Sequence, residues 1–181
     1  MSKIALTPNA SGSGTFTIAS PNSDTDRSLT LPDGAGTLDR LERTGNILQV
    51  VENTASTTVS TSSTSYVSTG LSASITPTST SSKILIVGTA TLRMPTGGNN
   101  YQHTIYRGAT NLAPTATRGF IQVRDAGGSA SDGTFPILYL DSPSTTSATT
   151  YTWYHKSEGG VACYFANDNS YANITLMEIA G

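Results

Sequence analysis

The residues best suited to metal binding or nucleophilic chemistry are two histidines and one cysteine. His103 and His155 lie far apart in the sequence, and no third ligand at a metal-binding spacing accompanies them. The sequence therefore predicts exposed strand residues at both positions and no metal site. Cys163 stands beside Val161 and Tyr164, which favours a buried core thiol over a reactive nucleophile.

The carboxylates offer no catalytic pattern. Those that fall in apparent loops, where solvated turn residues are the ordinary interpretation, are Asp125, Asp132, Asp141, Glu158 and Asp168. The run at residues 167–169 resembles part of a calcium loop, but it lacks the glycine and the terminal glutamate of an EF-hand and predicts a turn. The chain has no nucleophile elbow, phosphate-binding loop or dinucleotide fingerprint. We therefore expect no enzyme activity and no cofactor.

Aromatic side chains point to a different chemistry. Eight tyrosines and one tryptophan are present, concentrated in the C-terminal half. A ring at a loop rim can stack on a sugar, and neighbouring Asn, Asp and Ser side chains can hydrogen-bond it; the alternative is packing in the core and at interfaces. The loop residues that we single out as ligand-binding candidates are Asn99, Asn100, Tyr101, Asp125, Asp132, Asn167, Asp168, Asn169 and Tyr171.

These loops need a scaffold, and its strongest signal is the stretch at residues 83–94. Read with the period of a strand, one face is apolar throughout and consists of Ile84, Ile86, Gly88, Ala90, Leu92 and Met94. The other face starts apolar and turns polar, with Lys83, Leu85, Val87, Thr89, Thr91 and Arg93. This pattern predicts a long central strand with one buried and one half-exposed face. In an oligomer, Leu85 and Val87 would face a neighbouring sheet or subunit.

The rest of residues 46–181 extends the same pattern. About eight to ten short alternating runs are separated by turn signals, which indicates an antiparallel β-sandwich, jelly-roll-like in plan, and not βαβ units. The runs at residues 83–94 and 171–179 are the two candidates for adjacent central positions. The predicted fold class is therefore all-β.

Residues 1–45 differ from this domain. They contain three short strand-like runs cut by turns, each with too few large apolar side chains to form a core alone. A charged patch at residues 37–45 is either a linker turn or a short neck around a threefold axis. The segment must therefore pack on its own C-terminal domain, on identical chains or on a host assembly. The last two are favoured, with contacts through Ile4, Leu6, Phe16, Ile18, Leu29, Leu31, Leu38 and Leu41.

Composition narrows the partners. Only 12% of the residues are charged, the net charge is −2 and the isoelectric point is about 5.5, so the basic surface that nucleic acids require is missing. No apolar run is long enough for a membrane helix or a secretory signal. A single cysteine excludes an intrachain disulfide and favours synthesis in a reducing compartment.

Several segments together resemble bacteriophage tail-fibre or virion-appendage proteins, especially those of cyanophages. The N-terminal segments that resemble them are IALTPN at residues 4–9, GTFTIASP at 14–21 and LTLPDGAGTL at 29–38. Further landmarks are GNILQVV at 45–51, ITP at 75–77, SKILI at 82–86, LDSP at 140–143 and MEIAG at 177–181. The resemblance covers most of the chain.

The resemblance implies a homotrimer of the virion, assembled in the host cytoplasm. Residues 1–45 would attach to other virion proteins or form a shaft, and the sandwich at residues 46–181 would point outward to bind a host surface glycan. Two alternatives stay open, a capsid decoration or cement protein and a polysaccharide-degrading tailspike. Neither nucleic-acid binding nor membrane insertion is expected.

Overall fold

The fold was analysed on a computed structural model of the chain. It describes residues 11–15, 17, 19, 22, 24–26, 28, 43–95, 100–113, 117–124 and 129–181. The chain divides into two units, Met1–Thr37 and Leu38–Gly181. The sequence-derived contacts of the N-terminal segment, from Ile4 to Leu41, fall outside the described residues.

Within the described part of the second unit, regular structure consists of strands and one 3₁₀ turn, Asn167–Asn169, without an α-helix. The strands are β1 (Ile47–Ala55), β2 (Val59–Thr61), β3 (Val67–Ile75), β4 (Lys83–Met94), β5 (Asn100–Arg107), β6 (Thr110–Asn111), β7 (Ile121–Arg124), β8 (Ser131–Asp141), β9 (Thr149–Ser157), β10 (Cys163–Phe165) and β11 (Ala172–Ile179). No helix among the described residues is long and apolar enough to cross a membrane.

The strands form two antiparallel sheets. The first sheet runs β1–β11–β4–β8. Strand β10 also pairs with β4, further along the edge that β11 occupies, and β2 pairs with β10. The second sheet runs β3–β9–β5, and both β6 and β7 pair with β5. The all-β sandwich predicted from the alternating runs is confirmed.

Strand β4 occupies the centre of the first sheet, as its pattern predicts. Every residue of its apolar face is buried, whereas the opposite face is exposed at Lys83 and half-buried from Leu85 to Arg93. The predicted adjacency of the two long strands is also confirmed, because β11 pairs with β4 from Asn173 opposite Thr89 to Ile179 opposite Lys83. The C-terminal strand is thereby held on both sides, by β4 and by β1.

The core lies between the two sheets, and at its centre the side chain of Trp153 packs on Gly88. Trp153 of β9 is fully buried against β4. A Cβ atom added at Gly88 would lie 2.8 Å from Cζ3 of Trp153 and 2.9 Å from the carbonyl oxygen of Asn173. Gly88 is therefore the position at which the central strand leaves room for the largest side chain of the opposite sheet.

An ion pair joins the sheets at a second point and corrects a prediction. Asp141 was expected in a solvated turn, but it ends β8, is 5% exposed, and accepts two 2.9 Å hydrogen bonds from Nη1 of Arg107 on β5. The hydroxyl of Tyr151 on β9 donates to the same carboxylate at 2.7 Å. The carboxylate is buried because it has charged and neutral donors from the facing sheet.

We predict that Gly88→Ala destabilises the protein by about 1–3 kcal/mol, because the added methyl meets a core ring and a backbone oxygen, neither of which can yield cheaply. Equilibrium urea unfolding measures this change. The matched control is Thr91→Ala on the outer face of the same strand, which should change stability by less than about 0.5 kcal/mol. Equal stability of the two variants would show that the sheets can separate at this point without cost.

Candidate functional site

The sandwich has two distinct ends. The described chain enters it at Gly45 and Asn46, which exchange backbone hydrogen bonds of 2.8 Å with Ala180. The turns between β3 and β4 and between β8 and β9 lie at this entry end. The connections from β4 to β5, from β7 to β8 and from β9 to β10 lie at the opposite end, which we call the tip. The described ligand-binding candidates Asn100 and Asp132, at the starts of β5 and β8, therefore lie at the tip.

The described part of the tip is polar and carries both signs of charge. Asn100 at the start of β5 is half-buried; its side-chain amide donates to the carboxylate of Glu158, whose backbone N–H donates to the Asn100 carbonyl at 2.8 Å. Asp132 is exposed and lies in β8, not in a loop as predicted, with Oδ1 3.7 Å from Nε of Arg93. Exposed pairs of this kind contribute little to stability, so these groups can bind a polar ligand without great cost to the fold.

Two tip candidates, Asn99 and Asp125, lie outside the described residues. Their described neighbours are Asn100 and Arg124, which pair across β5 and β7. The described tip therefore presents amide, carboxylate and guanidinium groups.

The candidates at residues 167–171 form a separate surface on the side of the first sheet. Phe165 pairs with Leu92 and Asn173 with Thr89 along the same edge of β4, so the residues between them must leave the sheet. Asp168 and Asn169 both adopt left-handed backbone conformations, with φ of 55°. Such a conformation favours Asn and Asp among non-glycine residues, and the predicted turn is a 3₁₀ turn.

Contacts hold this excursion against the neighbouring strand. The N–H of Asn169 donates to the hydroxyl of Thr58 at 3.0 Å, and that hydroxyl lies 2.8 Å from the carbonyl oxygen of Ala166. Asn167 is 8% exposed, whereas Asp168 and Asn169 are exposed. The turn is therefore fixed at its base and free to meet solvent at its outer residues.

Tyr171 is the most exposed aromatic ring that the described residues contain, at 58%. Its hydroxyl donates to Oε1 of Glu52 at 3.4 Å, and the side-chain amide of Asn173 approaches the same oxygen at 3.3 Å. A ring face beside a carboxylate and an amide has the composition of a sugar-binding subsite. The ring is therefore exposed, as stacking requires, and its ligand-binding role stays a prediction.

Tyr101 does not lie at a rim. It is fully buried, and its hydroxyl lies 2.6 Å from Nδ1 of His155. The histidines, expected to be exposed, are also fully buried, with ring centroids 5.9 Å apart. The inner face of β5 consists of Tyr101, His103 and Ile105, which alternate along the strand. The strand period could therefore have predicted the burial of Tyr101 and His103.

The buried histidines are held in the neutral form. Nε1–H of Trp153 donates to Nδ1 of His103 at 3.0 Å, which places the single proton of a neutral His103 ring on Nε2. Burial, and then the proximity of His155, hold the pKa of His103 well below its usual value. Burial lowers the pKa of His155 to about 4. The Nε2 atoms of both rings lack a hydrogen-bond partner, so a charged ring would be poorly compensated.

Sequence reasoning missed a cluster of tyrosines on the outer face of the second sheet. Tyr106 and Tyr154 stack with centroids 4.1 Å apart, and Tyr66 meets Tyr106 edge to face at 6.2 Å. Nζ of Lys156 lies 4.7 Å above the Tyr66 ring. Tyr154 and Lys156 alternate with the core residues of β9, and this alternation was the available clue to an outward aromatic surface.

A small cleft of about 310 Å3 lies at the entry end, lined mainly by residues 78–82 and by Leu48, Ala180 and Gly181. Beside it, the carboxylate of Glu178 accepts hydrogen bonds from the backbone and hydroxyl of Thr78, both at 2.7 Å, and from Gln49 at 2.6 Å. Burial alone would raise the pKa of Glu178, but these hydrogen bonds lower it overall. The carboxylate thus ties three chain segments together at this end.

The described residues include no candidate metal site. No group of three or more His, Cys, Asp or Glu side chains there could hold a metal ion. Cys163 is buried, as predicted, and burial raises the pKa of its thiol.

No protein-family model matches the chain, and comparison with curated proteins found no match.

We predict that acid destabilises the protein through the histidines. Their depressed pKa values mean that the unfolded chain binds protons first, so stability is complete above the unfolded pKa of 6.5 and falls as the pH drops toward 4. Between pH 7 and pH 5, where most carboxylates stay ionised, urea unfolding should show a loss of about 2 kcal/mol for each histidine.

The control for this prediction is His155→Gln, which can still hydrogen-bond the Tyr101 hydroxyl but does not titrate. About half of the pH dependence should disappear, with the remainder due to His103. A wild-type protein equally stable at pH 7 and pH 5, or a variant with the full pH dependence, would contradict the burial of these rings as neutral groups.

Proposed function

We propose that the protein is a non-enzymatic structural component of a virion, a homotrimeric appendage whose C-terminal sandwich contacts the host surface at the tip. The observation that carries this proposal is that the chain enters the sandwich at one end and the polar candidate residues lie at the other. The described chain enters at one end, beside Ala180, while Asn100, Asp132 and Glu158 lie at the other. A domain attached at one end and polar at the other suits outward display of a binding surface.

The order of the strands supports the jelly-roll part of this proposal. The core order is β1–β11–β4–β8 in one sheet and β3–β9–β5–β7 in the other. Strands from the beginning and the end of the domain become neighbours in both sheets, as two Greek keys require. Jelly rolls occur in viral capsid and lectin domains, and this fold-level analogy supports a virion role.

The environment of the reactive side chains favours binding over catalysis. His103, His155 and Cys163 are all fully buried in the core, where they cannot meet a polysaccharide. The carboxylates that the structure describes at the tip are exposed or bonded to neighbouring side chains, and among them no buried acid stands beside an ionised base of the kind that glycoside hydrolysis uses. Hydrogen-bonding groups and an exposed ring fit recognition of a hydroxyl-rich glycan.

The location of the protein tests the virion assignment. Particles carrying a gold-labelled antibody against the sandwich should be marked at the tail or another external appendage. Uniform labelling of the shell would instead identify a capsid decoration protein, and unlabelled particles would reject a virion role. Release of reducing sugars from host polysaccharide by the pure protein would overturn the non-enzymatic assignment.

We predict that the purified, fluorescently labelled protein binds an array of bacterial surface polysaccharides and that substitutions at the loops reduce this binding. The paired change Asp132→Ala and Glu158→Ala removes two carboxylates of the tip, and Tyr171→Ala removes the exposed ring beside the excursion. The variant that touches the site should bind roughly ten-fold more weakly, the effect of losing one good polar contact or stacked ring.

Ser74→Ala, on the outer face of the second sheet near the entry end, is the matched control and should bind as wild type. Loss in the tip variant alone would support the tip, and loss in Tyr171→Ala alone would move the site to the side of the first sheet. Binding that survives in both would refute the choice of loops. A wild-type protein that binds no polysaccharide and fails to compete with particles for host cells would refute the receptor-binding role.

A further inference from the structure

The outer face of the first sheet is apolar in the half nearer the entry end. The strand register sets its side chains in rows, with Ile47 beside Ile179, Val50 beside Met177, and Val87 beside Leu138. A fourth pairing, Leu85 between Met177 and Leu140, joins the rows across β4. We call this surface the apolar half-face: Ile47, Val50, Leu85, Val87, Leu138, Leu140, Met177 and Ile179.

Four side chains of the half-face are exposed, and the other four, Leu85, Val87, Met177 and Ile179, are half-buried. Leu138 is 70% exposed, Val50 56%, Ile47 54% and Leu140 48%. They are four of the six large apolar side chains that are exposed in the described residues. Such side chains occur singly on most surfaces, whereas a contiguous group marks an interaction site.

We propose that the apolar half-face is the surface through which copies of this chain associate. The inference rests on the homotrimer of the proposed function and assigns that assembly a contact surface. Four strands about 4.8 Å apart and rows about 7 Å apart give an apolar area roughly 15 Å across in each direction. This is smaller than the ~800 Å2 that each partner buries in a stable complex, so the half-face would form the centre of the contact and polar residues its rim.

The chemistry of the surface favours a second copy over a ligand of another class. The eight side chains of the half-face carry no charge and no hydrogen-bond donor, and the Thr175 hydroxyl opposite Val87 is the polar group that the register sets among them, so the surface offers little to a glycan. The charges that border it on the same face are opposite in sign, Lys83 beyond Leu85 on β4 and Glu52 beyond Val50 on β1. The β8 side of one copy can therefore meet the β1 side of the next with Lys83 and Glu52 in complementary positions.

Contact through the face is favoured on the β8 side, because that edge of the sheet is blocked against strand pairing. Pro136 stands in β8, the edge strand opposite Thr89 of β4. Proline lacks the N–H that a further strand would need, and such residues protect edges from pairing. Copies would therefore pack through side chains, as the two sheets do within one chain. A head-to-tail contact that closes after three copies gives the trimer.

The polar half of the same face remains available to solvent. Beyond Val87, the outward residues of β4 are Thr89, Thr91 and Arg93, flanked on β8 by Thr134 and Asp132. The excursion with Tyr171 lies beside this polar half. Association through the apolar half-face thus leaves the tip uncovered, whereas Glu52 at its border is shared with the side chains of Tyr171 and Asn173.

Light scattering of the full-length protein and of two variants, Leu138→Glu and Val50→Glu, tests the proposal. The wild-type mass should be three times the chain mass of 18.8 kDa, and each variant should fall to about one third of the wild-type mass because a carboxylate would be buried in an apolar contact. Val67→Glu is the matched control, since Val67 is also exposed, at 36%, but lies on β3 of the other sheet; it should keep the wild-type mass. Tryptophan fluorescence from Trp153 verifies that each variant keeps its core.

Two further variants provide a test that does not depend on disrupting the assembly. Leu138→Cys and Val50→Cys, combined in one chain, should form cross-links between copies under mild oxidation, while the buried Cys163 stays unreactive. A pair of Ser68→Cys and Ser74→Cys, both exposed on β3 and six residues apart, should form no cross-link between copies.

The outcomes separate this inference from the proposed function. If the wild type is trimeric but Leu138→Glu and Val50→Glu remain trimeric, the contact surface is wrong and the trimer stands. If the wild type has the mass of a single chain, both the trimer and this surface fail, while the polysaccharide array still decides receptor binding. Binding of a monomeric wild type to phosphatidylcholine vesicles, abolished by Leu138→Glu, would reassign the half-face to a lipid surface.

Discussion

The contact between Trp153 and Gly88 sets the geometry on which the rest of the sandwich depends. Stacked sheets lie about 10 Å apart, and an indole can enter that space fully only where the opposite strand has no side chain. Gly88 provides this gap at the middle of β4, where β8 and β11 pair on either side. The backbone of Trp153 accepts a 2.9 Å hydrogen bond from the hydroxyl of Thr69, and its indole N–H binds His103. The tryptophan thereby orients the second sheet against the first.

The core around this contact is more polar than its hydrophobic pattern suggests. Two histidines, Tyr101, Tyr151 and Asp141 lie inside it, and each is paired with a specific partner. Neutral imidazoles avoid the cost of a buried charge, while the Asp141 carboxylate balances that cost with a guanidinium and a phenol. Directional pairs of this kind fix which residues of the two sheets face each other, a choice that apolar packing alone makes weakly.

The parts of the fold that could be predicted are those governed by local periodicity. The alternation of residues 83–94 correctly indicated a central strand, its buried face and its half-exposed face. The length of the run at residues 171–179 correctly indicated that it lies beside this strand. Burial of His103 and His155 was open to the same argument, since each alternates with large core residues along its strand. Residue type was given more weight than position there, and the prediction of exposed histidines was wrong.

Asp141 follows the same alternation, because it shares the inner face of β8 with Ile137 and Tyr139. The residue that makes its burial possible, Arg107, lies on a strand of the other sheet, and no sequence spacing predicts that pair. The candidate site shows the same limit. Asn100 and Asp132 lie at one end because β5 and β8 both begin there, while residues 167–171 form a separate surface because β10 and β11 share one edge of β4.

The outer face of the first sheet depends on an irregularity that alternation cannot reveal. In a regular strand, Ile47 and Val50 would point to opposite faces. The register shifts between Ile47 and Gln49, so that one additional residue enters β1 and the strand changes phase. Ile47 then stands beside Ile179 and Val50 beside Met177, both facing outward. The bulge thus lets both residues face outward, and together they form the β1 side of the apolar half-face against which the β8 side of a second copy can pack.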